Sequence, residues 1–551
     1  MMTQAAAPAG LEAGQIDARL ARYYAHLDWT KVAPVEPTIP ALLAYGTAHH
    51  GDRDLLVRDD DRITYAQADA RSASLAARLL RHGIGRGSRV AMLMPDGVDF
   101  LVTWLAVTRI GALAAPLSTL AAPPELAKLL RMGGAPLLIA SDRVRNVNLI
   151  ARIAEALALD GTDKGVASER APHLRHIWLW HGEAPWAEPV RDRPQMPQPL
   201  VAAAEREVCP ADPVTIVYTS GSTADPKGVL HSHGNFLRSS RRWAASMPFH
   251  AEDRLFADSP MFWVGGLITT LLAMMHVGGT LVGTAERGSR LVDMIEQERC
   301  TIVHVWPFLG RQIAADPHLA NRDFSAIHSG SVPELLAFPP PPDAAPFGYA
   351  MGMTESAGPH SSHILTSDPD HRGAMGLGAP GMEHRIVDPE TGRVLAEGER
   401  GELHLRGDTL MLGYEGRERH EVFDRDGWFA TGDICTIRDG HLFFHGRRSA
   451  MIKTSGANVA PAEVEQALLA LDGVAEAHVL GLPDVERGEI VGALIVAEQD
   501  REIDIPALLG ELRHQIASYK VPRKLKVVTA VPTTATNKLD RRAATALLMA
   551  S

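Results

Sequence analysis

The chain has 551 residues, 46% hydrophobic and 22% charged, a balance that fits several folded globular domains and excludes a disordered or fibrous chain. A formal net charge of −11 withholds the basic face that a nucleic-acid partner requires, although a local basic patch for a nucleotide stays open. Cys209, Cys300 and Cys435 lie far apart with no CxxC pair, which argues against a metal or disulfide framework and suits a reducing, cytoplasmic setting.

The start, MMTQAAAPAGLEAGQ, has neither a basic region nor an apolar stretch, so no signal peptide is expected. Alanine and leucine at helical spacing predict a helix over Tyr65–Arg81, ending at His82-Gly83. RVAMLM, Arg89–Met94, reads as a short buried strand; Phe100–Ile110 is helical again, and Gly111–Ala115 leads to Pro116. Such alternation predicts βαβ units and a mostly parallel sheet. Arg191–Pro199 is proline-rich and reads as a surface loop. Met261–Gly283 is long and apolar enough to raise a membrane span, but Gly265-Gly266 and Gly278-Gly279 interrupt it and no basic flank orients it. A buried helix, a turn and a strand is the expected arrangement. Past residue 380, short runs such as Gly401–Gly407 and Gly440–Phe444 predict antiparallel hairpins. After Gly446 a small α+β region follows, with helices over Pro461–Leu471 and Ile505–Ala517 and strands over Val474–Leu480 and Glu489–Ala497. The expected domains are residues 1–446 and 447–551.

The segment with most chemical content is Tyr218–Gly228, YTSGSTADPKG, which follows the β-branched run Val214–Val217. Small residues let a backbone approach a polyanion, hydroxyls and amides donate hydrogen bonds to it, and Lys227 adds positive charge. The Walker pattern is absent, and a plain Ser/Thr/Gly turn is the weaker alternative. This segment resembles the phosphate loop of the adenylate-forming superfamily: acyl-CoA synthetases, peptide-synthetase adenylation domains and firefly-type luciferases. Ala224 stands where that family usually has a second glycine.

Further motifs carry the resemblance along roughly residues 40 to 545, in family order. Tyr349–Glu355, YAMGMTE, is similar to the family's YGxTE motif, with Met351 at the usual aromatic position. The resemblance implies that Thr354 contacts the α-phosphate, that Glu355 holds Mg²⁺, and that Tyr349, Met351 and Gly352 line the nucleotide. Thr431-Gly432-Asp433 and Gly446-Arg447 resemble the two ribose contacts. Ala450 takes the place of the family's charged hinge residue. Ser455-Gly456-Ala457 resembles the stretch facing the coenzyme A tunnel, and Lys538, in PTTATNKL, resembles the C-terminal catalytic lysine, with Asn537 replacing a glycine. Pro260–Gly266 and Ser329–Pro333 resemble the acyl-pocket motifs, which puts Trp263, Gly330 and Ser331 in its wall; Trp263 replaces a frequent histidine.

The fold implied is α/β: a large N-terminal domain of α/β sheets with a small β-barrel-like subdomain, and a mobile small α+β C-terminal domain. The activity implied is that of the AMP-forming acyl-CoA synthetase branch. ATP·Mg²⁺ lies along Thr219, Ser220, Gly221, Ser222, Thr223 and Lys227; the substrate carboxylate attacks the α-phosphorus; pyrophosphate leaves, and coenzyme A takes the acyl group. Trp263 and the lack of an aspartate for an α-amino group point to a hydrophobic acid: medium-chain fatty, alicyclic or aryl-alkanoic. Alternatives left open are an adenylation enzyme loading a carrier protein in trans, a luciferase-like oxygenase and a nucleotide-binding protein without catalysis. The expected partners are the acid, ATP and coenzyme A; no nucleic acid and no membrane span are expected, and a homodimer is left open.

Overall fold

The computed structural model describes residues 27–121, 123–160, 165–190, 199–219, 226–336, 350–362, 373–448, 452–454, 457–459, 461–484, 487–499, 501–516, 520–534 and 538–550. They fall into two compact units. One takes the described residues up to Glu383 together with Arg406–Trp428; the other takes His384–Leu405 and the described residues from Phe429 onward.

In the larger unit, an eight-stranded sheet runs in the order Gly413–Tyr414, Lys227–Ser232, Pro213–Thr219, Leu113–Pro116, Arg89–Leu93, Leu137–Ala140, His176–Leu179, Glu188–Pro189. From Pro213–Thr219 through Glu188–Pro189 all neighbours are parallel, whereas Pro213–Thr219 and Lys227–Ser232 form an antiparallel hairpin. The parallel strands carry near-continuous apolar runs because helices cover both faces. Tyr65–Arg81 is one of them. Its first turn is closed by the Thr64–Gln67 capping box, and Gly83 leaves its end at φ +75°. Its Leu75 and Leu79 pack with Trp104, Leu101 and Phe236 in one core cluster.

A six-stranded sheet in the same unit runs Ser329–Gly330, Ile302–His304, Arg254–Ala257, Thr280–Gly283, Asp54–Arg58, Asp61–Thr64. Here the apolar segment Met261–Gly283 resolves into a helix, a turn and a strand. Gly265–Leu272 winds as a π-helix, Ala273–Val277 continues as an α-helix, Gly278 ends it at φ +80°, and Thr280–Gly283 is a buried strand. Among the described residues no helix is long and apolar enough to cross a membrane.

The strand Gly401–Gly407, which belongs to the smaller unit up to Leu405, lies antiparallel to Phe429–Arg438, and that strand antiparallel to His441–Arg447. A five-stranded sheet pairs Val474–Asp484 with Gly488–Ala497 along their length and adds Lys524–Val527 in parallel. The helices Pro461–Leu469 and Ile505–Gln515 bring Val464, Leu468 and Leu512 onto Val479, Val491 and Ile495, forming that unit's own core. The predicted elements here lie within two or three residues of those observed; the strand Val474–Asp484 runs four residues further.

Candidate active site

The β-branched strand Pro213–Thr219 turns back on itself so that Thr219 pairs with Lys227. The predicted phosphate loop is therefore the connection of a hairpin, and its Ser220, Gly221, Ser222 and Thr223 lie outside the described residues. Both flanks of the loop are fixed by a short edge segment from far along the chain. Gly413–Tyr414 pairs with Val229 and Leu230, and the Glu415 backbone N–H donates to the Gly228 carbonyl at 2.8 Å. The Glu415 carboxylate also pairs with Arg89 and accepts from the Tyr218 hydroxyl at 3.4 Å.

Gly352–Met353 pairs with Gly358–Pro359, and Thr354–Ser356 makes one tight 3₁₀ turn between them. The turn is held from inside. Ser356 Oγ donates to the Gly358 carbonyl at 2.6 Å, and Ser239 Oγ on a packed helix donates to the Ala357 carbonyl at 2.6 Å. Thr354 and Glu355 are thereby left half-buried on an otherwise fixed turn. Met351 N–H donates to Ser361 Oγ at 3.1 Å; Tyr349 lies outside the described residues. His231, which the sequence reading passed over, is fully buried beside this turn. Burial pulls its pKa down to about 3 against a weaker opposing pull from the Thr354 backbone and Asn235, so the ring is neutral.

Lys227 and Glu355 meet through a third residue. Lys227 Nζ lies 5.1 Å from the centroid of the Tyr414 ring, and the Tyr414 hydroxyl donates to Glu355 Oε1 at 2.7 Å. Among the described residues no group of three or more His, Cys, Asp or Glu side chains could cage a metal ion. Mg²⁺ at nucleotide sites needs no cage, since one or two carboxylates and the phosphate oxygens complete its shell. Glu355 fits that need, with one oxygen turned to Tyr414 and the other without a protein hydrogen bond among the described residues. Held there, Mg²⁺ would supply positive charge against the phosphate oxygens.

In the smaller unit, the antiparallel register places Asp433 directly opposite Arg447, with Arg447 Nε 2.6 Å from Asp433 Oδ1. Asp433 is buried and Arg447 half-exposed. Gly432 turns at φ +76°, and its N–H donates to Glu402 Oε1 at 2.9 Å, while Arg448 sits 3.2 Å from Glu402 Oε2. Glu402, read from sequence only as a strand residue, is a buried carboxylate that organises the Thr-Gly-Asp turn. Lys538 is exposed; Thr534 N–H donates to its carbonyl at 2.7 Å, and Lys538 N–H donates to Thr534 Oγ1 at 3.3 Å. Ala450, Ser455 and Gly456 lie outside the described residues; Ala457 opens the strand Ala457–Val459, described by its backbone.

Trp263 stands half-exposed at the head of the π-helix, its ring edge-on to Phe262 at 5.3 Å. That helix abuts the Thr-Glu turn, since a Cβ on Gly358 would come 3.3 Å from Ile268 Cγ2. Gly330 is pressed against Val303, whose carbonyl a Cβ would meet at 2.6 Å. The Ser331 hydroxyl donates to the Val305 carbonyl and accepts from the Val305 N–H, both at 2.9 Å, and Val332 is buried in the core. The hydroxyl of Ser331 is thus engaged by the backbone of the neighbouring strand.

A parallel α/β unit that carries the Pro213–Thr219/Lys227–Ser232 hairpin and a Thr-Glu turn, together with a small α+β unit, is the arrangement of the adenylate-forming enzymes. The crystal structure of the anthranilate CoA ligase AuaEII in complex with anthranoyl-AMP shares that fold, with a TM-score of 0.76 over 94% of this chain and 98% of that chain, at 23% identity. Residues 44–415 match the AMP-binding enzyme family and residues 463–538 match the AMP-binding enzyme C-terminal domain; the chain belongs to this family, in its acyl-CoA synthetase branch. It is 31% identical to a long-chain-fatty-acid–CoA ligase of Mycobacterium tuberculosis and 31% identical to a feruloyl-CoA synthase of Amycolatopsis, each match covering 87% of this chain and 92% of the relative. The protein is accordingly an AMP-forming acid–CoA ligase that works with ATP, Mg²⁺ and coenzyme A.

Proposed function

We propose that the acid is hydrophobic, of medium-chain fatty, alicyclic or aryl-alkanoic type. The observation that carries this is the wall beside the Thr-Glu turn. From Met261 to Gly283 there is no Asp, Glu, Lys or Arg, and the helix in it lies with Val264 and Ile268 against Gly358. The segment itself offers no counter-charge to a second carboxylate or an ammonium on the substrate, and burying an unpaired charge is costly. The names of the two relatives agree, one acting on long-chain fatty acids and the other forming feruloyl-CoA.

The residue roles follow the same reading. Lys227 and the loop donors hold the triphosphate, Thr354 contacts the α-phosphate, Glu355 holds Mg²⁺, and Asp433 and Arg447 hold the ribose. Lys538 neutralises the two anions that must meet, the carboxylate and the α-phosphate, which is the main electrostatic demand of the step. Residues 1–446 bind ATP and the acid; residues 447–551 act as a lid that turns near Ala450 and presents Ser455–Ala457 to coenzyme A. Described thiols that are all free, Cys209, Cys300 and Cys435, support a cytoplasmic enzyme. Incubation with ATP, Mg²⁺, coenzyme A and a panel of acids, read by acyl-CoA mass, tests the reading. Thioester from apolar acids is expected. Thioester confined to short polar or dicarboxylic acids overturns the substrate class, and AMP release without thioester overturns the acceptor.

A further inference from the structure

We propose that Tyr414 is a positioning residue that holds Lys227 and Glu355 apart and aims each at the triphosphate site. This rests on the roles given to Lys227 and Glu355 above. An ammonium and a carboxylate left to themselves in a shared site would pair and cancel. Among the described residues Lys227 and Glu355 form no ion pair; a phenol stands between them instead. The electron-rich ring face draws the Lys227 ammonium, 5.1 Å from its centroid, without consuming its charge. The hydroxyl donates to Glu355 Oε1 at 2.7 Å, which fixes the carboxylate and keeps its negative charge for a cation.

The tyrosine is itself held by backbone. Its strand pairs Tyr414 with Val229, and the flanking Leu412 and Glu415 N–H groups donate to the Leu230 and Gly228 carbonyls, both at 2.8 Å. Met411 N–H donates to the Glu355 carbonyl, also at 2.8 Å. One short segment therefore touches the strand after the phosphate loop and the turn that carries Glu355. A ring fixed at both ends can set a distance between two flexible side chains, and neither side chain needs to move when nucleotide enters.

The two halves of the ring's role separate experimentally. Full-length wild type, Tyr414→Phe, Tyr414→Leu and Glu355→Gln are titrated with N-methylanthraniloyl-ATP, in EDTA and across a Mg²⁺ series, with thermal melts alongside. Tyr414→Phe keeps the ring and loses the hydroxyl. Its affinity in EDTA is expected to stay within about twofold of wild type, while the Mg²⁺ needed for half-maximal tightening rises about tenfold, the scale of a lost hydrogen bond to a charged group. Tyr414→Leu is expected to show the same Mg²⁺ shift and to weaken binding in EDTA by about two- to fivefold, the scale of a cation–π contact. A Mg²⁺ requirement in Tyr414→Phe equal to wild type, with Glu355→Gln shifted, overturns the proposal alone. If Glu355→Gln leaves the Mg²⁺ requirement unchanged, the metal assignment falls and the proposal with it. A Tyr414→Phe protein that loses affinity equally in EDTA and in Mg²⁺ also overturns it, because a merely structural tyrosine would behave that way.

Discussion

At the scale of single residues, the roles proposed above fall on side chains whose backbones are held. Lys538 is the clearest case. It is tied to Thr534 through its own carbonyl and N–H and the Thr534 hydroxyl, and among the described residues the ammonium takes no part in that tie. Lys538→Ala should therefore leave the fold untouched and remove only charge. Adenylate formation, followed as ATP–pyrophosphate exchange, is expected to fall by about 10²–10³-fold, the usual loss when one preorganised donor to a developing charge is deleted. Thioester formation from a supplied acyl-adenylate should stay near wild type, because that step no longer joins two anions. An equal fall in both half-reactions would refute the division of labour. Glu402 shows the opposite arrangement: a buried charge committed to the Gly432 N–H and to Arg448, so its contribution is to shape.

At the scale of elements, what the sequence makes legible is local. The helix Tyr65–Arg81 starts and stops where its cap and glycine say, and Gly278 ends the Met261–Gly283 helix as a left-handed residue should. What stays hidden depends on register between distant strands. Tyr414 reaches Glu355 across 59 positions, and Glu402 reaches Gly432 across 30; no periodicity in either segment announces the partner. The resemblance puts Ser331 in the acyl-pocket wall, whereas the parallel pairing with Ile302–His304 turns its hydroxyl onto Val305. The π-winding of Gly265–Leu272 was equally unreadable, since its apolar residues fit an α-helix as well. Gly266 carries a prediction at this scale. A Cβ there would lie 2.2 Å from the Pro260 carbonyl oxygen and 2.6 Å from that of Ser259, and both are backbone. Gly266→Ala must push the Ser259–Trp263 turn outward, at a cost of about 1–3 kcal/mol typical of overpacking. Because that turn carries Trp263 and none of the proposed phosphate contacts, KM for the acid is expected to rise severalfold more than KM for ATP. Melting curves and the paired KM values check it; a parallel change in both would show that the turn does not shape the acyl wall.

At the scale of the whole molecule, acid acts on the larger unit through its buried histidines. The larger one buries His231, His233 and His276, and loss of solvation pulls their pKa values down to about 3, 4 and 3. In an unfolded chain each would titrate near ~6.5. Between roughly pH 6.5 and 4 the unfolded chain binds protons that the folded chain refuses, so the larger unit loses stability as pH falls through that window and regains it as pH rises. Each histidine contributes at most about 1.4 kcal/mol per pH unit, so three give a limiting slope of about 4 kcal/mol per unit. All nine tryptophans, from Trp29 to Trp428, belong to the residues of the larger unit, so their fluorescence reports it alone. Urea midpoints followed by tryptophan fluorescence should be flat from pH 8 to 7 and drop steeply from pH 6 to 5. Far-UV circular dichroism, which senses both units, should keep a fraction of its signal after the fluorescence change is complete. His276→Asn should make the acid slope shallower by up to about one proton's worth, ~1.4 kcal/mol per pH unit, because one refused proton disappears from the balance. A slope that stays the same in that variant would mean that other groups, and not the buried imidazoles, govern acid unfolding.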